Sequence, residues 1–126
     1  MLTTVFEDLI LDDAPMERFS FDGGTKRLKL AIDDDTGKTH HFCFEGVTGF
    51  RYHPTVCFDR RRIFVDGVYR KTILKEEDSE WIKELNHAEK EQLEPVSCSL
   101  GHYIFPSDEG VYELLARSVN RIIQNK

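Results

Sequence analysis

Residues 40–57 hold the densest group of side chains that could ligate a metal. Zinc sites need three or four histidine, cysteine or carboxylate ligands that converge on one point. His41 and Cys43 alternate with apolar residues and would share one face of a strand, and His53 and Cys57 follow in the next segment. No Cys-x-x-Cys or His-Glu-x-x-His spacing accompanies them. These four residues support one interpretation of the sequence, a small metal-dependent or ligand-binding protein. We keep it as the alternative to the binding role that is derived below.

Three consecutive aspartates, Asp33, Asp34 and Asp35, precede Gly37 and are typical of a solvated turn. A calcium loop has twelve residues and a terminal glutamate, which this segment lacks. Acid–base catalysis needs two facing carboxylates in a cleft, one of them with a pKa shifted by burial, and nothing in the spacing indicates such a pair. We therefore predict a binding role for these acids and assign no catalytic residue.

Charge is segregated along the chain. The net charge is −6, from 17 basic and 23 acidic residues. Residues 51–75 carry seven basic against two acidic residues, whereas residues 76–94 carry eight acidic against two basic ones. Because an acidic chain repels polyphosphate as a whole, the short basic segment is weak support for nucleic-acid binding. The pattern favours a protein partner with a basic surface.

Length and composition predict one domain over residues 1–126, because two cores would each be near the lower size limit for independent folding. No segment approaches the ~18 consecutive apolar residues of a membrane-spanning helix. The first residues lack the basic and apolar regions of a secretory signal. Three cysteines without paired spacing suit a reducing compartment. We expect a cytoplasmic protein that does not bind membranes and, since no nucleotide-binding motif occurs, has no cofactor.

Alternating apolar residues predict strands through most of the first 75 residues. Leu28, Leu30 and Ile32 share one face of such a strand, and Asp66-Gly67 is typical of a hairpin turn. These segments predict an antiparallel meander. Residues 111–123 fit a helical period, but the turn that ends in Gly110 favours a hairpin. We predict a strand over 111–119, with a helix as the alternative.

One helix is predicted over residues 78–92. Its first turn can be capped by Asp78 or Ser79, and an apolar stripe on one face would cover a sheet. That stripe contains Trp81, Ile82 and Leu85. Acidic side chains on the opposite face are candidate binding residues, as are the aspartates of the turn. The helix acids are Glu80, Glu84 and Glu91.

The layout of apolar and turn residues resembles small bacterial domains of the toxin-immunity type. The similarity lies in an opening Leu11-Asp12-Asp13-Ala14, a strand with Phe44-Glu45-Gly46-Val47 and a closing hairpin from His102 to Leu114. The resemblance implies an antiparallel sheet with a helix, non-covalent neutralisation of a partner protein and no catalytic motif.

The expected fold class is α+β, with a curved antiparallel sheet of six to eight strands packed against one main helix at about 78–92. The expected function is that of a non-enzymatic cytoplasmic interaction protein, an immunity-type inhibitor that binds a basic partner through its charged surface. Self-association through an exposed edge strand could coexist with that role, because edge strands carry unpaired backbone groups.

Overall fold

A computed structural model of the chain describes residues 2–12, 17–54, 59–89, 100–107 and 110–122. These residues form eleven β-strands, one α-helix and a 3₁₀ turn. The strands are β1 Leu2–Thr4, β2 Glu17–Asp22, β3 Arg27–Asp33, β4 Thr39–Glu45, β5 Gly49–Pro54, β6 Phe64–Val65, β7 Val68–Tyr69, β8 Leu74–Glu76, β9 Gly101–Pro106, β10 Gly110–Ala116 and β11 Ser118–Ile122. The helix, α1, spans Glu80–Glu89, and the 3₁₀ turn spans Arg60–Ile63.

The strands form three antiparallel sheets. A five-stranded sheet has the order β1-β8-β9-β10-β5, and a four-stranded sheet has the order β11-β4-β3-β2. The short strands β6 and β7 pair with each other as a hairpin around Asp66 and Gly67, both of which have positive φ. The predicted turn at this position is confirmed, because these two residues adopt the left-handed conformation that a tight hairpin needs.

The two larger sheets pack face to face around one hydrophobic core. Alternating residues of β3 and β4 point inward, among them Leu30, Phe42 and Phe44, and are almost completely buried. They meet Tyr103 and Phe105 of β9; the rings of Phe44 and Phe105 stack with their centroids 6.4 Å apart. The period-2 pattern of these strands therefore buries one face of each sheet against the other.

The chain crosses between the two sheets at a shared corner. Gly46, with φ of +64°, separates β4 from β5, and Arg117 separates β10 from β11. The Arg117 N–H donates to the carbonyl of Glu45, and the Thr48 N–H donates to the carbonyl of Leu115. A Cβ at residue 46 would overlap the exposed side chain of Arg117, which can move aside, so the corner requires glycine chiefly for its positive φ.

The second face of the five-stranded sheet is also covered. Ile104 of β9 and Val111 of β10 are buried there against Ile63 and Leu74, with the β6–β7 hairpin packed alongside. All six residues of β9 are buried. The central strands are therefore enclosed on both faces, and any polar side chain on them must find partners inside the protein.

The predicted α+β class is wrong. The described residues are mostly β, and three sheets replace the single curved sheet that we expected. The alternation of apolar residues shows which side chains share a face but not which strands pair. Beyond the corner at Gly46, β5 pairs with β10 of the other sheet instead of extending the meander. The core forms between two sheets, so no helix is needed to cover it.

Helix α1 is shorter than the predicted helix at 78–92 in the part that the structure describes. It begins after Ser79, whose side-chain oxygen accepts the Ile82 N–H at 3.2 Å as an N-cap. Trp81, Ile82 and Leu85 are only half-buried. In the tail, β10 and β11 confirm the strand interpretation, although the bend at Arg117 divides it in two. Within the described residues, no helix has the length and apolar character needed to cross a membrane.

Candidate binding cleft around Glu113

A buried carboxylate lies on the outer face of the five-stranded sheet. Glu113 belongs to β10, which runs between β9 and the edge strand β5, and its side chain is 1% exposed. The strand on one side of β10 places Ile104 opposite Glu113, and the strand on the other side places Arg51 opposite it. A charge at such a position needs several hydrogen bonds to offset its lost hydration.

Two histidines and an arginine supply those bonds. The Nε2–H of His102 donates to Glu113 Oε1 at 2.8 Å, and Nε2 of His53 bonds to Oε2. Nη2 of Arg62, on the 3₁₀ turn, reaches Oε1 at 3.5 Å. Burial raises the pKa of Glu113, but the bonds from His102 and His53 and the charge of Arg62 outweigh it and hold the pKa at about 2. The carboxylate therefore stays ionised at neutral pH.

The same network reaches the start of helix α1. The Ser79 hydroxyl is hydrogen-bonded to Nδ1 of His102 at 2.7 Å, and its oxygen accepts the Ile82 N–H. Because an ionised carboxylate only accepts hydrogen bonds, the His102 proton that faces Glu113 lies on Nε2. One chain of bonds thus connects the helix cap with Glu113 on β10.

Trp81 packs beside this network. Its ring lies against Gly49 of β5, where a Cβ would come within 2.6 Å of Cζ2. The guanidinium of Arg51 lies 3.7 Å from the ring centroid as a cation–π pair. The ring also meets His102 edge-on, with the centroids 5.5 Å apart. The first turn of the helix is therefore held against the edge strand β5.

A cleft of about 310 Å³ opens between this turn and the sheet. Its floor contains His102 and Glu113, and Trp81 forms one wall. Carboxylates outnumber the arginines around it. The remaining charged lining residues are Glu76, Asp78, Glu80, Glu84, Arg51 and Arg62.

Lys83 neutralises part of that acidic rim. Its Nζ lies 2.6 Å from Asp78 and 3.2 Å from Glu80, and all three side chains are largely exposed. Ion pairs this exposed exchange readily with solvent and with other ions. Even with Lys83 counted, the rim and floor keep an excess of negative charge and suit a cationic group.

Ser79, His102 and Glu113 resemble a nucleophile, a base and an orienting carboxylate in their order of contact. Unlike a catalytic nucleophile, however, the Ser79 hydroxyl is not accessible to a substrate. Ser79 is 6% exposed, its oxygen already accepts a helix N–H, and it does not line the cleft. The geometry is that of a satisfied buried network that supports a binding surface.

The predicted helix acids divide between the cleft and the undescribed segment. Glu80 and Glu84 are exposed and line the cleft, although they were predicted on the helix face turned away from the sheet. Glu91 lies outside the described residues. Sequence reasoning had placed the two glutamates on a surface but had not placed a cleft beside them.

The aspartate turn lies elsewhere, between β3 and β4 of the four-stranded sheet. Asp34 Oδ1 accepts the N–H groups of Thr36 and Lys38, at 2.9 and 3.0 Å, and its Oδ2 bonds to Nε2 of His40 at 2.7 Å. The hydrogen bonds from Thr36 and His40 hold the pKa of Asp34 well below its usual range. Asp33 accepts the Thr39 hydroxyl. Of the three aspartates, Asp35 is the most open to a partner.

The predicted metal ligands lie on two sheets. His41 and Cys43 face outward on β4, whereas His53 is on β5 beside Glu113, and Cys57 lies outside the described residues. Among the described residues, no group of three or more histidine, cysteine or acidic side chains could hold a metal ion. The metal alternative stays a prediction, to be tested by the metal content of the purified chain and of its Cys43→Ser and Cys57→Ser variants.

The central residues of the cleft were missed from the sequence. Glu113 interrupts an otherwise apolar strand, Val111-Tyr112-Glu113-Leu114-Leu115, and that interruption was the available signal. A carboxylate within a strand that is apolar on both faces must be buried and paired. The identity of its partners could not be read in the same way, because they come from residues 53, 62 and 102.

The chain matches no protein-family model, no curated protein and no solved structure.

Proposed function

We propose that this protein is a non-enzymatic binding domain whose acidic cleft takes up a basic segment of a partner protein. The observation that carries the proposal is the position of Glu80 and Glu84, two exposed helix acids that border a cleft with an aromatic wall. A lysine or arginine side chain would find carboxylates at the rim and the ring of Trp81, with Arg51 stacked on it, in the wall.

The buried network supports this role by fixing the cleft. Ser79, His102 and Glu113 join the first helical turn to the sheet, so the rim acids are held without large rearrangement. A rigid, preformed surface loses less conformational entropy on binding. Acidic groups at the rim would mainly raise the association rate and the specificity for a basic partner.

The inhibitor role implied by the resemblance to toxin-immunity domains fits such a surface, since neutralisation by binding needs affinity and no chemistry. The cytoplasmic location is part of the same proposal. It is supported by the cysteine spacing, and by Cys43, which is a free thiol in the part of the chain that the structure describes.

The chain carries its own reporter for a test. Trp81 is the single tryptophan and lines the cleft, so its fluorescence reports on occupancy. We expect tetralysine to change the emission saturably, with weaker binding at high salt, and tetraglutamate to have no effect. Glu80→Gln combined with Glu84→Gln should weaken tetralysine binding by roughly threefold to tenfold, because each exposed ion pair contributes modestly.

The matched control removes the same charge from the aspartate turn. Asp33→Asn combined with Asp35→Asn should leave tetralysine binding at the wild-type value, because the turn is in the other sheet. Equal binding by wild type and the Glu80/Glu84 variant would contradict the proposal. A larger loss in the turn variant would transfer the binding surface to the aspartates.

A further inference from the structure

Strand β2 forms one edge of the four-stranded sheet. Within the described residues it is hydrogen-bonded to β3 alone, in six consecutive pairs without a bulge. Edge strands that remain in solvent are commonly protected by charged side chains, lysine above all, by proline or by a bulge. The sequence of β2, Glu17-Arg18-Phe19-Ser20-Phe21-Asp22, contains no lysine or proline, and its three charged residues include both signs, so a second strand can match them. Its outer edge is therefore suited to pairing with another strand.

The core-facing side of this edge opens into an apolar groove of about 570 Å³. Phe19 and Phe21 line it from β2, and Phe50 lines it from β5 of the other sheet. Phe21 is 53% exposed and Phe50 is 46% exposed. A strand that pairs with β2 would cover the groove if it carried large apolar side chains at alternate positions.

The sequence of β2 meets that requirement when it pairs with itself. A two-fold axis perpendicular to a sheet leaves the core-facing side chains of both copies on the same face of the joined sheet. Directly opposed residues of two paired strands also point to the same face, and side chains alternate between faces along each strand. The numbers of two opposed residues must therefore differ by an even number. An antiparallel pair centred on Ser20 then places Phe19 opposite Phe21 of the second copy. It also places Arg18 opposite Asp22 of the second copy, and both contacts occur twice.

The two neighbouring symmetric alignments lack this complementarity. Centred on Phe19, the pair places Arg18 opposite Ser20 and Glu17 opposite Phe21. Centred on Phe21, it places Ser20 opposite Asp22 and Phe19 opposite Gly23, so neither alignment matches charges. Cross-strand pairs of opposite charge and of aromatic rings are the contacts that stabilise a sheet. The charge pattern of β2 therefore selects both the partner and the register.

We propose that the protein forms a two-fold homodimer through β2, paired antiparallel about Ser20, so that two four-stranded sheets become one continuous eight-stranded sheet. Phe21 of each copy then lies beside Phe19 of the other and covers the mouth of the groove. The two Arg18–Asp22 pairs lie on the opposite face of the sheet. The binding cleft at Glu113 takes no part in this contact.

Sedimentation equilibrium of the full chain, from micromolar to millimolar concentration, tests the proposal. We expect wild type to dimerise reversibly and Arg18→Asp to raise the dimer dissociation constant roughly tenfold or more, because two attractive pairs become repulsive. Lys29→Asp is the matched control: it makes the same charge change on the outer face of β3 and should leave the constant unchanged.

Mixing charge variants tests the register directly. Asp22→Arg alone should also dimerise poorly, whereas an equimolar mixture of Asp22→Arg and Arg18→Asp should form a heterodimer with all pairs restored. Asp22 also accepts the Gly24 N–H, so melting curves must first show that its variant folds. If it does not fold, Phe21→Ser provides the second test, since its side chain is exposed and its loss should likewise weaken the dimer.

A monomeric wild type throughout the concentration range would overturn the proposal and leave the β2 edge to a strand of a different protein. Equal dimerisation of Arg18→Asp, Lys29→Asp and wild type would place the dimer contact elsewhere and would also overturn it. Failure to recover a dimer from two folded charge variants would refute the register.

Discussion

Two groups in this molecule pair a carboxylate with histidine, but their partners lie at very different distances along the chain. Around Asp34, the partners Thr36, Lys38 and His40 all lie within six residues of the aspartate. Around Glu113, the partners come from β5, β9 and the 3₁₀ turn, up to 60 residues away. The first group shapes one turn, whereas the second joins separate elements. The sequence separation between a polar group and its partners, more than the chemistry of the group, therefore determines how much of the fold depends on it.

The pKa values of the two acids are lowered for related reasons. At Asp34, bonds from Thr36 and His40 dominate, and the side chain keeps 14% of its surface exposed. At Glu113, burial opposes ionisation and the bonds from His102 and His53 must overcome it. Removing a partner therefore leaves a group that water can still reach at the turn but an uncompensated one inside the sheet.

The largest expected effect is that of Glu113→Gln. The amide keeps the size of the side chain but loses the charge, and it places a donor among groups that donate. We expect the free energy of unfolding to fall by about 3 to 5 kcal/mol, as for other buried charged networks that lose one partner. Urea denaturation measures the change. A loss no greater than that of Asp34→Asn would show that the long-range group carries no more of the fold than the turn does.

The next effect is the dependence of stability on acid pH. Glu113 has a lower pKa in the folded chain, about 2, than its ordinary value of 4.5. Its contribution is therefore complete above about pH 4.5 and is lost as the pH falls toward 2; it amounts to about 3 kcal/mol. We expect the difference in unfolding free energy between wild type and Glu113→Gln to shrink over this window. A constant difference from pH 6 to 2 would contradict the assignment.

The same contrast explains what the sequence could predict. The turn at residues 33–37 was recognisable because its turn-forming residues are adjacent. The shared face of Leu28, Leu30 and Ile32, which is buried in the core, was predicted because alternation is also a local property. Capping chemistry, also local, predicted Asp78 or Ser79 as the cap of the helix, and Ser79 takes that role.

Features that depend on distant pairing were not predictable in this way. Alternation does not show that β5 pairs with β10, so the two-sheet core was missed and the helix was assigned too large a role. The cleft was predicted only in part. The sequence placed Glu80 and Glu84 on an exposed helix face, but it predicted that Trp81 would cover a sheet. Its wall-forming position depends on the space left by Gly49 and on Arg51, which meet it only in the fold.

The smallest expected effect is that of Asp34→Asn. Asparagine keeps Oδ1 as an acceptor for the Thr36 and Lys38 N–H groups and loses mainly the charge that faces His40, so the loss should be about 1 kcal/mol or less. Hydrogen exchange should quicken at Thr36 and Lys38 but not at strand β10. Because the two groups share no partner, the losses in Asp34→Asn and Glu113→Gln should add to within about 0.5 kcal/mol in the double variant. A larger deviation would mean that the turn and the central network are coupled through the sandwich, and that the local group supports more than its own turn.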